Sequence, residues 1–442
     1  MFYLRDFKNF ATAELDLNQP VTLLIGPNGA GKSNIIEAVE LLAFLADGGA
    51  LHEITDIGRG GKLEIRGGLD ACARRGTEEF TLGIEVKAED TLMSALDPFV
   101  YEISVKVGNE PAVIAERLQK TLHKTPVFEI RREDSTDLGG NTVRYDNYAQ
   151  GGNKPMETIS ATRSALSQYA RFAKKNVKLS ETLELVDSVI SCLTAPAVFD
   201  PIPKEMRDHQ RVSERQLARN GFNLSPALNA LYTLKVDPKG GKQRRLLRIE
   251  KDETAGRILN RIKQLPDEPF VGFDFDRTNS GDVMFGFSLP GGGKPVYARV
   301  LSDGTLRALA IFTALETSKP GRRLIVEEFD NGVHPSRVPI LTEAIFDCAT
   351  RNSLRVIATT HNPATLNALT AEQLGSVLLA VHDPKSGNAK LLPLRDLPGY
   401  IDFIEQGRLG DLVTRRVYEQ HLVPDYEKQR LEEMKKWMTQ LP

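Results

Sequence analysis

The spacing of apolar residues predicts a core of buried strands alternating with helices. Val21–Ile25 and residues 324–326 and 354–358 are mainly apolar runs, with Thr22 and Arg355 as the polar exceptions, and are typical of strands that are buried on both faces. Residues 33–42 and 306–315 instead carry apolar positions at helical spacing. Polar residues follow each buried strand, and ligands of α/β folds bind at the carboxyl ends of such strands. The pattern therefore predicts an α/β fold with a ligand site at one sheet edge.

Outside this core, the pattern divides the chain into four segments. Residues 1–155 contain several alternating stretches and predict an N-terminal lobe with an antiparallel β part. Residues 156–268 have mainly helical spacing, interrupted by prolines that exclude a long coiled coil. The β pattern returns in residues 269–399, and residues 400–442 predict an amphipathic helical tail that either docks a partner or caps the fold.

Composition narrows the class of protein without naming a partner. The chain has 442 residues, 41% of them hydrophobic, and a net charge of −2 from 57 basic and 59 acidic side chains. Nucleic-acid binding would therefore need a local patch rather than bulk charge. Cys72, Cys192 and Cys348 are scattered and suggest neither disulfides nor a zinc site. Without an apolar run long enough for a membrane span, we expect a cytoplasmic protein with no membrane contact.

Residues 26–33 read GPNGAGKS and fit the phosphate-binding pattern G-x-x-x-x-G-K-[ST]. The segment lies between a predicted strand and a predicted helix, as phosphate binding by backbone N–H groups requires. We expect Lys32 to contact the β- and γ-phosphates of ATP and the Ser33 hydroxyl to bind Mg²⁺. The predicted nucleotide-binding residues of this loop are Gly26, Pro27, Asn28, Gly29, Ala30, Gly31, Lys32, Ser33 and Asn34.

Two carboxylates and a histidine follow the next buried strands. Glu327 directly follows the run ending at Val326, so we expect it to bind Mg²⁺. Glu328 is predicted to polarise the attacking water, and His361 to bind the γ-phosphate or that water. The alternatives are surface carboxylates and a structural histidine.

One segment in the middle of the chain is strongly basic. Its flexible, glycine-containing sequence could follow a phosphate backbone, and the alternative is a solvated loop whose charge is offset by Glu250, Asp252 and Glu253. The basic residues of this possible nucleic-acid patch are Lys235, Lys239, Lys242, Arg244, Arg245 and Arg248.

Four stretches, in chain order, carry a family resemblance: GPNGAGKSN, LSDGT, LIVEEFDNGVHP and ATTHNP. They resemble the P-loop, signature, Walker B with D-loop, and switch histidine of ABC-type ATPases, and most of all the SMC/RecF/OLD-like group of bacterial ATPases. The resemblance covers roughly residues 1–70 and 295–365. It implies an ABC-type ATPase head, with a P-loop α/β core and an antiparallel β subdomain, split by the helical insertion.

The resemblance also implies a homodimer that encloses two ATP molecules, with a higher assembly possible. Ser302 and Gly304 of one copy would contact the γ-phosphate held by Lys32 of the other, and Asp303 belongs to the same nucleotide-binding signature. Asp330 and Asn331 would occupy the D-loop that crosses the dimer interface. The cofactors implied are ATP and Mg²⁺.

The sequence departs from the transporter pattern at two positions. Asp303 stands where ABC transporters have glycine, and Glu327 stands where aspartate is commoner. Both departures resemble the SMC/OLD-like group and leave the rate of hydrolysis open. Gln150 and Gln168 are the two candidates for the glutamine-loop residue, but neither has a recognisable motif around it.

Three functions remain open at this stage. OLD-like proteins carry a Toprim nuclease domain after the switch histidine, whereas the 81 residues after His361 contain no buried strand ending in D-x-D, so we expect this chain not to be a nuclease itself. The leading hypothesis is an ATPase that regulates a separately encoded nuclease or toxin in anti-phage defence. The alternatives are a RecF/SMC-like DNA-repair ATPase and a nucleotide-gated scaffold with little hydrolysis.

Overall fold

The computed structural model describes most of the chain as two compact units. The first unit comprises Met1–Gln19, Gly26–Pro196 and Leu378–Pro393, and the second comprises Pro20–Ile25, Ala197–Val377 and Leu394–Pro442. Each unit is therefore assembled from three separate stretches of sequence. The structure describes residues 1–16, 19–87, 98–134, 140–150, 153–194, 197–236, 246–250, 253–383 and 386–422.

Strands and helices are numbered in chain order. The strands are β1 (Phe2–Phe7), β2 (Phe10–Leu15), β3 (Val21–Ile25), β4 (Ile54–Thr55), β5 (Leu63–Glu64), β6 (Glu79–Val86), β7 (Phe99–Lys106), β8 (Ala112–Lys120), β9 (Phe128–Ile130), β10 (Gly140–Tyr145), β11 (Met156–Ser160), β12 (Ala197–Phe199), β13 (Tyr232–Val236), β14 (Leu246–Glu250), β15 (Gly272–Arg277), β16 (Val283–Ser288), β17 (Val296–Tyr297), β18 (Arg323–Val326), β19 (Arg355–Thr359), β20 (Val377–His382) and β21 (Ala389–Pro393). The helices are α1 (Lys32–Ala46), α2 (Ala165–Phe172), α3 (Leu179–Thr194), α4 (Leu224–Asn229), α5 (Thr254–Gln264), α6 (Asp303–Thr317), α7 (Val338–Arg351), α8 (Pro363–Asn367), α9 (Tyr400–Glu405), α10 (Leu409–Thr414) and α11 (Tyr418–His421).

A large, mostly antiparallel sheet forms the first unit. Its strand order is β11-β10-β9-β8-β7-β6-β1-β2-β21-β20, and β2 pairs with β21 in parallel. Helix α2 packs on this sheet through aromatic rings, since Phe128 lies 5.9 Å from Tyr169 and Tyr145 lies 5.6 Å from Phe172 between ring centroids. The alternating burial of strands such as β7 follows from one face lying on this core.

Four parallel strands form the centre of the second unit. Their order is β3-β19-β18-β12, with parallel register throughout. All five residues of β3 are buried, as expected for a parallel strand covered on both faces. Helix α6 is also almost entirely buried, and the buried Glu316 carboxylate near its end pairs with Arg257 and Arg351 at 2.9 and 2.6 Å. This α/β core confirms the predicted fold class.

Some local predictions differ from the structure. The predicted helical segment 156–268 also contains strands, and Ala197–Phe199 joins the parallel sheet beside β18. Within it, helix α4 ends at Asn229, and Tyr232–Val236 forms a strand that pairs with β14. In the tail, helices α9 to α11 occupy part of residues 400–422, and residues 423–442 lie outside the described part. The four-segment division stays a prediction.

Membrane-spanning helices are absent from the described residues, because none of the helices there is both long and apolar enough to cross a bilayer.

Glu116 is a buried carboxylate in the first unit. Its oxygens accept hydrogen bonds from the N–H groups of Ala165 and Leu166, at 2.5 and 2.9 Å, and from the Tyr101 hydroxyl at 2.9 Å. These contacts join β7, β8 and the start of α2. Burial raises the pKa of Glu116 to about 7, and the three hydrogen bonds oppose this rise.

We expect the contribution of Glu116 to stability to fall as pH rises from about 4.5 to about 7. The folded chain holds the proton more tightly than the unfolded chain, so this contribution is complete at low pH and is lost through the folded pKa. Its free-energy change is at most roughly 3 kcal/mol. Urea unfolding at several pH values checks this, with Glu116→Gln as the non-titrating control. The free energy of unfolding of the native chain minus that of Glu116→Gln should fall as pH rises. Parallel curves for the two proteins would contradict the expectation.

Candidate functional site

The phosphate loop of the first unit has a backbone that requires glycine. Gly26, Gly29 and Gly31 have φ values of +143°, +82° and +102°. A Cβ atom at Gly26 would collide with the carbonyl oxygen of Ala380, and one at Gly31 would lie 2.6 Å from the Phe10 ring. The loop therefore folds closely against its own unit, which orients its backbone as anion binding by N–H groups needs.

Side chains hold this loop from both ends. The Lys32 ammonium donates to the carbonyl oxygens of Gly26 and Pro27, at 2.7 and 3.1 Å. Asn9 donates to the Gly29 carbonyl at 3.2 Å and accepts a hydrogen bond from the Asn34 amide at 2.7 Å. Asn9 is a loop-positioning residue that the sequence analysis missed, because it lies in a turn distant from the motif.

The residues of the loop fit a polyphosphate. Three positive-φ glycines leave the backbone free of Cβ atoms, and the Lys32 ammonium lies over the loop. Ser33 is the second residue of α1, where its hydroxyl provides a hard oxygen ligand of the kind that Mg²⁺ prefers. The donor set therefore suits a nucleotide triphosphate with Mg²⁺.

In the second unit, polar residues meet at the carboxyl ends of β18 and β19. These strands pair in parallel, with Val326 opposite Ala358. Glu327 and Glu328 directly follow β18, and His361 follows β19 by two residues. The Glu328 carboxylate lies 3.7 Å from Nδ1 of His361, and the side chains are 44% and 53% exposed. The structure thus brings Glu328 and His361 together as two accessible polar groups.

Glu328 adopts a backbone conformation that is uncommon for a residue with a side chain. Its φ is +42°, in the left-handed region. The Glu328 N–H donates to the Thr359 hydroxyl at 2.8 Å, and the Glu328 carbonyl accepts from the Asn331 N–H at 2.8 Å. Strained conformations of this kind persist where surrounding contacts hold them, and they cluster at functional sites. Thr359, which lies in the ATTHNP stretch, is therefore a second positioning residue.

The two D-loop residues differ in their surroundings. Asp330 is buried and accepts hydrogen bonds from the hydroxyls of Thr360, at 2.6 Å, and Thr365. Burial raises its pKa, and these hydroxyl contacts oppose the rise. Asn331 is exposed and donates to the Glu328 carboxylate at 3.2 Å. The Asp330 side chain thus fixes this segment within its own chain, whereas the Asn331 side chain is accessible, and the placing of both residues in the D-loop stays a prediction.

The LSDGT signature begins helix α6. Ser302 is the N-cap, and its hydroxyl accepts from the Thr305 N–H at 3.1 Å. Ser302 and Asp303 are exposed, whereas Gly304 lies close to the Gly332 carbonyl, 3.1 Å from where a Cβ would be. The first turn of a helix carries free N–H groups and partial positive charge, which favour an anion.

The basic segment is only partly described. Lys235 lies in β13 and Arg248 in β14. Lys239, Lys242, Arg244 and Arg245 lie outside the described residues.

Of the two possible glutamine-loop residues, Gln168 is fully engaged within its own unit. It is buried, accepts from the Ser160 N–H, and donates to the carbonyl oxygens of Ser160, Arg163 and Ser164, each at 3.2 Å. This arrangement assigns Gln168 a structural part in the turn before α2. Gln150 is exposed.

Some curated proteins are similar to limited parts of this chain, and some solved structures are similar to it at low sequence identity. RecF, "DNA replication and repair protein RecF", of Rhizobium etli (strain ATCC 51251 / DSM 11541 / JCM 21823 / NBRC 15573 / CFN 42) is 40% identical over 146 residues, 32% of this chain and 34% of that protein. RecF of Gloeobacter violaceus is 49% identical over 57 residues, 13% of this chain and 15% of that protein. These matches thus span only about a third of the relatives or less.

Two solved structures have low sequence identity to the chain. "Crystal structure of the SmcHead bound to the C-winged helix domain of ScpA" has a TM-score of 0.44 at 12% identity and covers 88% of this chain and 96% of that one. "SMC head domain from Thermotoga maritima" has a TM-score of 0.38 at 14% identity and covers 89% and 97%.

A family model matches residues 21–367 under the description "AAA domain, putative AbiEii toxin, Type IV TA system". The match covers well over half of the chain's 442 residues. It includes the phosphate loop, the signature, both strand-end carboxylates and His361. The chain therefore belongs to this AAA-domain family.

Proposed function

We propose that this chain binds ATP with Mg²⁺, self-associates around the nucleotide and hydrolyses it. Through this change of association it regulates a separately encoded effector, a nuclease or toxin, in bacterial anti-phage defence. The family description, which names a toxin of a toxin–antitoxin system, supports a role in such modules. The homodimer, and the division of labour between this chain and its effector, are also part of the proposal.

Binding is assigned to the phosphate loop. Residues 26–34 surround the phosphates with backbone N–H groups, and Lys32 contacts the β- and γ-phosphates. Ser33 would bind the metal ion through its hydroxyl, and Glu327 stays a predicted metal ligand of the second unit. When bound, Mg²⁺ supplies positive charge that offsets the charge of the transferring phosphoryl group.

The position of Glu328 is the observation that carries the hydrolytic proposal. Its carboxylate is exposed, lies beside His361 and is held by a left-handed backbone that Thr359 stabilises. A carboxylate fixed in this way orients a water molecule and accepts its proton. His361 donates to the γ-phosphate or to the same water, and Asn331 fixes the second oxygen of Glu328 through its hydrogen bond.

Self-association is assigned to the exposed polar groups at the start of α6 and after β18. Ser302 and the N–H groups behind it favour an anion, and Ser302, Asp303 and Asn331 are all exposed. Ser302 would contact the nucleotide held by a second copy, and Asn331 would contact the second copy itself. A C₂ arrangement uses the same surface on both copies, so a homodimer is the simplest assembly.

A RecF-like DNA-repair ATPase is the second candidate function. The similarity of part of the chain to two proteins named for DNA replication and repair favours it. In that case the basic segment from Lys235 to Arg248 would contact the phosphate backbone of DNA.

Glu328→Gln should retain ATP binding and lower hydrolysis about 100-fold or more, because the amide keeps the shape but cannot accept the proton. The stalled protein should accumulate as an ATP-bound dimer. Phosphate release and sedimentation velocity with ATP measure the two effects. Lys32→Ala is the matched control, and it should lose both nucleotide binding and association. Unchanged turnover in Glu328→Gln would remove this residue from its proposed role.

Thr359→Val should lower both stability and hydrolysis. Valine has the same shape but cannot accept the Glu328 N–H, which costs about 1 kcal/mol of unfolding free energy and leaves the left-handed turn without its support. Urea unfolding and phosphate release check the two effects, and Thr359→Ser should resemble the native chain because it keeps the hydroxyl. Equal hydrolysis by the valine and serine variants would show that Thr359 does not position Glu328.

DNA assays separate the two candidate roles. If an effector is encoded separately, the purified chain should leave plasmid DNA uncut with Mg²⁺ or Mn²⁺, and cleavage that co-purifies with the chain would contradict this.

DNA affinity that falls steeply with salt would favour the RecF-like role. The slope should then decrease when Lys239, Lys242, Arg244 and Arg245 are changed to glutamine. A set of exposed lysines elsewhere, Lys62, Lys106, Lys124 and Lys319, provides the control.

A further inference from the structure

A single guanidinium group lies behind the signature. The Nη1 atom of Arg207 lies within hydrogen-bonding distance of the carbonyl oxygens of Leu301, Arg299 and Ala298, at 2.8, 2.9 and 3.3 Å. Its Nη2 atom pairs with the Asp303 carboxylate. Arg207 therefore contacts the turn that leads into α6 and the first residue of α6 itself.

The backbone of Arg207 is held in place by its neighbour. Met206 ends the 3₁₀ turn Pro203–Met206 and is completely buried. Its terminal methyl group packs beside Gly221, where an added Cβ would lie 2.7 Å from it. The Arg207 side chain is only 25% exposed, whereas Asp303 is 70% exposed. The guanidinium thus projects from a fixed point onto a more accessible loop.

The contacts suit arginine in particular. Several carbonyl oxygens and one carboxylate converge on it, and the planar fork of five N–H donors can bind them from one side. Lysine offers a single ammonium on a flexible stem and cannot replace this geometry. The turn that Arg207 holds ends at Ser302, whose hydroxyl caps α6.

We propose that Arg207 is a positioning residue for the signature, which fixes the loop before Ser302 and neutralises Asp303. This inference rests on the proposed role of Ser302 in contacting the phosphates bound by a second copy. An unpaired Asp303 carboxylate beside Ser302 would repel those phosphates. Pairing with Arg207 removes this repulsion and explains how an aspartate can stand where the transporter pattern has glycine.

The neighbouring pair Arg299–Asp208 provides a comparison. It joins the same two segments at 3.1 Å, but both side chains are largely exposed. Exposed pairs of this kind contribute little. Arg299→Ala therefore removes an arginine from the same region without removing the contacts to the turn.

Hydrogen–deuterium exchange tests whether Arg207 holds the loop, independently of ATP. In Arg207→Ala, amides of residues 301–306 should exchange about tenfold faster or more than in the native chain, because the loop opens more often. Arg299→Ala should leave them unchanged. Arg207→Lys serves if the alanine variant does not fold, and it too should exchange faster, since it loses most of the carbonyl contacts. Native exchange rates in the folded arginine variants would overturn the proposal.

Sedimentation with ATP tests the connection to self-association. Arg207→Ala should bind a fluorescent ATP analogue within about twofold of the native affinity, while ATP-dependent association weakens about tenfold or more. Adding Asp303→Asn should recover at least about threefold of that loss, because the unpaired charge is removed. Native-like association of Arg207→Ala, or no recovery in the double variant, would overturn the proposed link. If the native chain does not associate with ATP, the proposed function fails, and the exchange rates still decide whether Arg207 fixes the loop.

Discussion

Parallel pairing of β18 with β19 is the constraint on which the polar edge of the second unit depends. Because both strands run in the same direction, the residues that follow them emerge at one edge of the sheet. Glu328 and His361 come together there although their residue numbers differ by 33. The hydrogen bond from the Glu328 N–H to the Thr359 hydroxyl then links the two strand ends. The apolar interior of the sheet therefore determines where the exposed carboxylate lies.

Polar side chains with several hydrogen-bond or ion-pair partners fix the loops that follow these strands. Asp330 holds the segment after β18 to the start of α8 through Thr360 and Thr365. Arg337, Glu268 and Thr305 form a second such cluster, in which Arg337 lies 2.9 Å from both the Glu268 carboxylate and the Thr305 hydroxyl. Since Thr305 belongs to α6 and Arg337 precedes α7, this cluster joins the signature helix to the chain beyond the D-loop. The cost of removing these charges from water offsets much of their attraction, so the intact cluster adds little net stability, although loss of one partner would leave a poorly solvated charge.

The sequence was sufficient for features that depend on short-range patterns. The buried runs predicted β3, β18 and β19, and the glycine spacing predicted a loop whose conformation indeed excludes side chains. Features that depend on distant partners could not be read in this way. Asn9 and Arg207 carry no motif, and each acts on a segment about 20 or more residues away in sequence. The short strand Ala197–Phe199 has too few residues for a recognisable period, and only its pairing with β18 makes it part of the sheet. Burial likewise could not be inferred for Asp330, whose exposed neighbour Asn331 has the same type of surrounding sequence.

The close packing of Gly26 against Ala380 has a consequence for the order in which the chain matures on the ribosome. The strand that packs behind Gly26 is translated some 350 residues after the phosphate loop. Strand β2 also waits for β21, its parallel neighbour, to cover its edge. Until then the nascent chain carries an open strand edge, a surface prone to mispairing. Completion of the phosphate loop is thereby delayed until β20 and β21 have been synthesised.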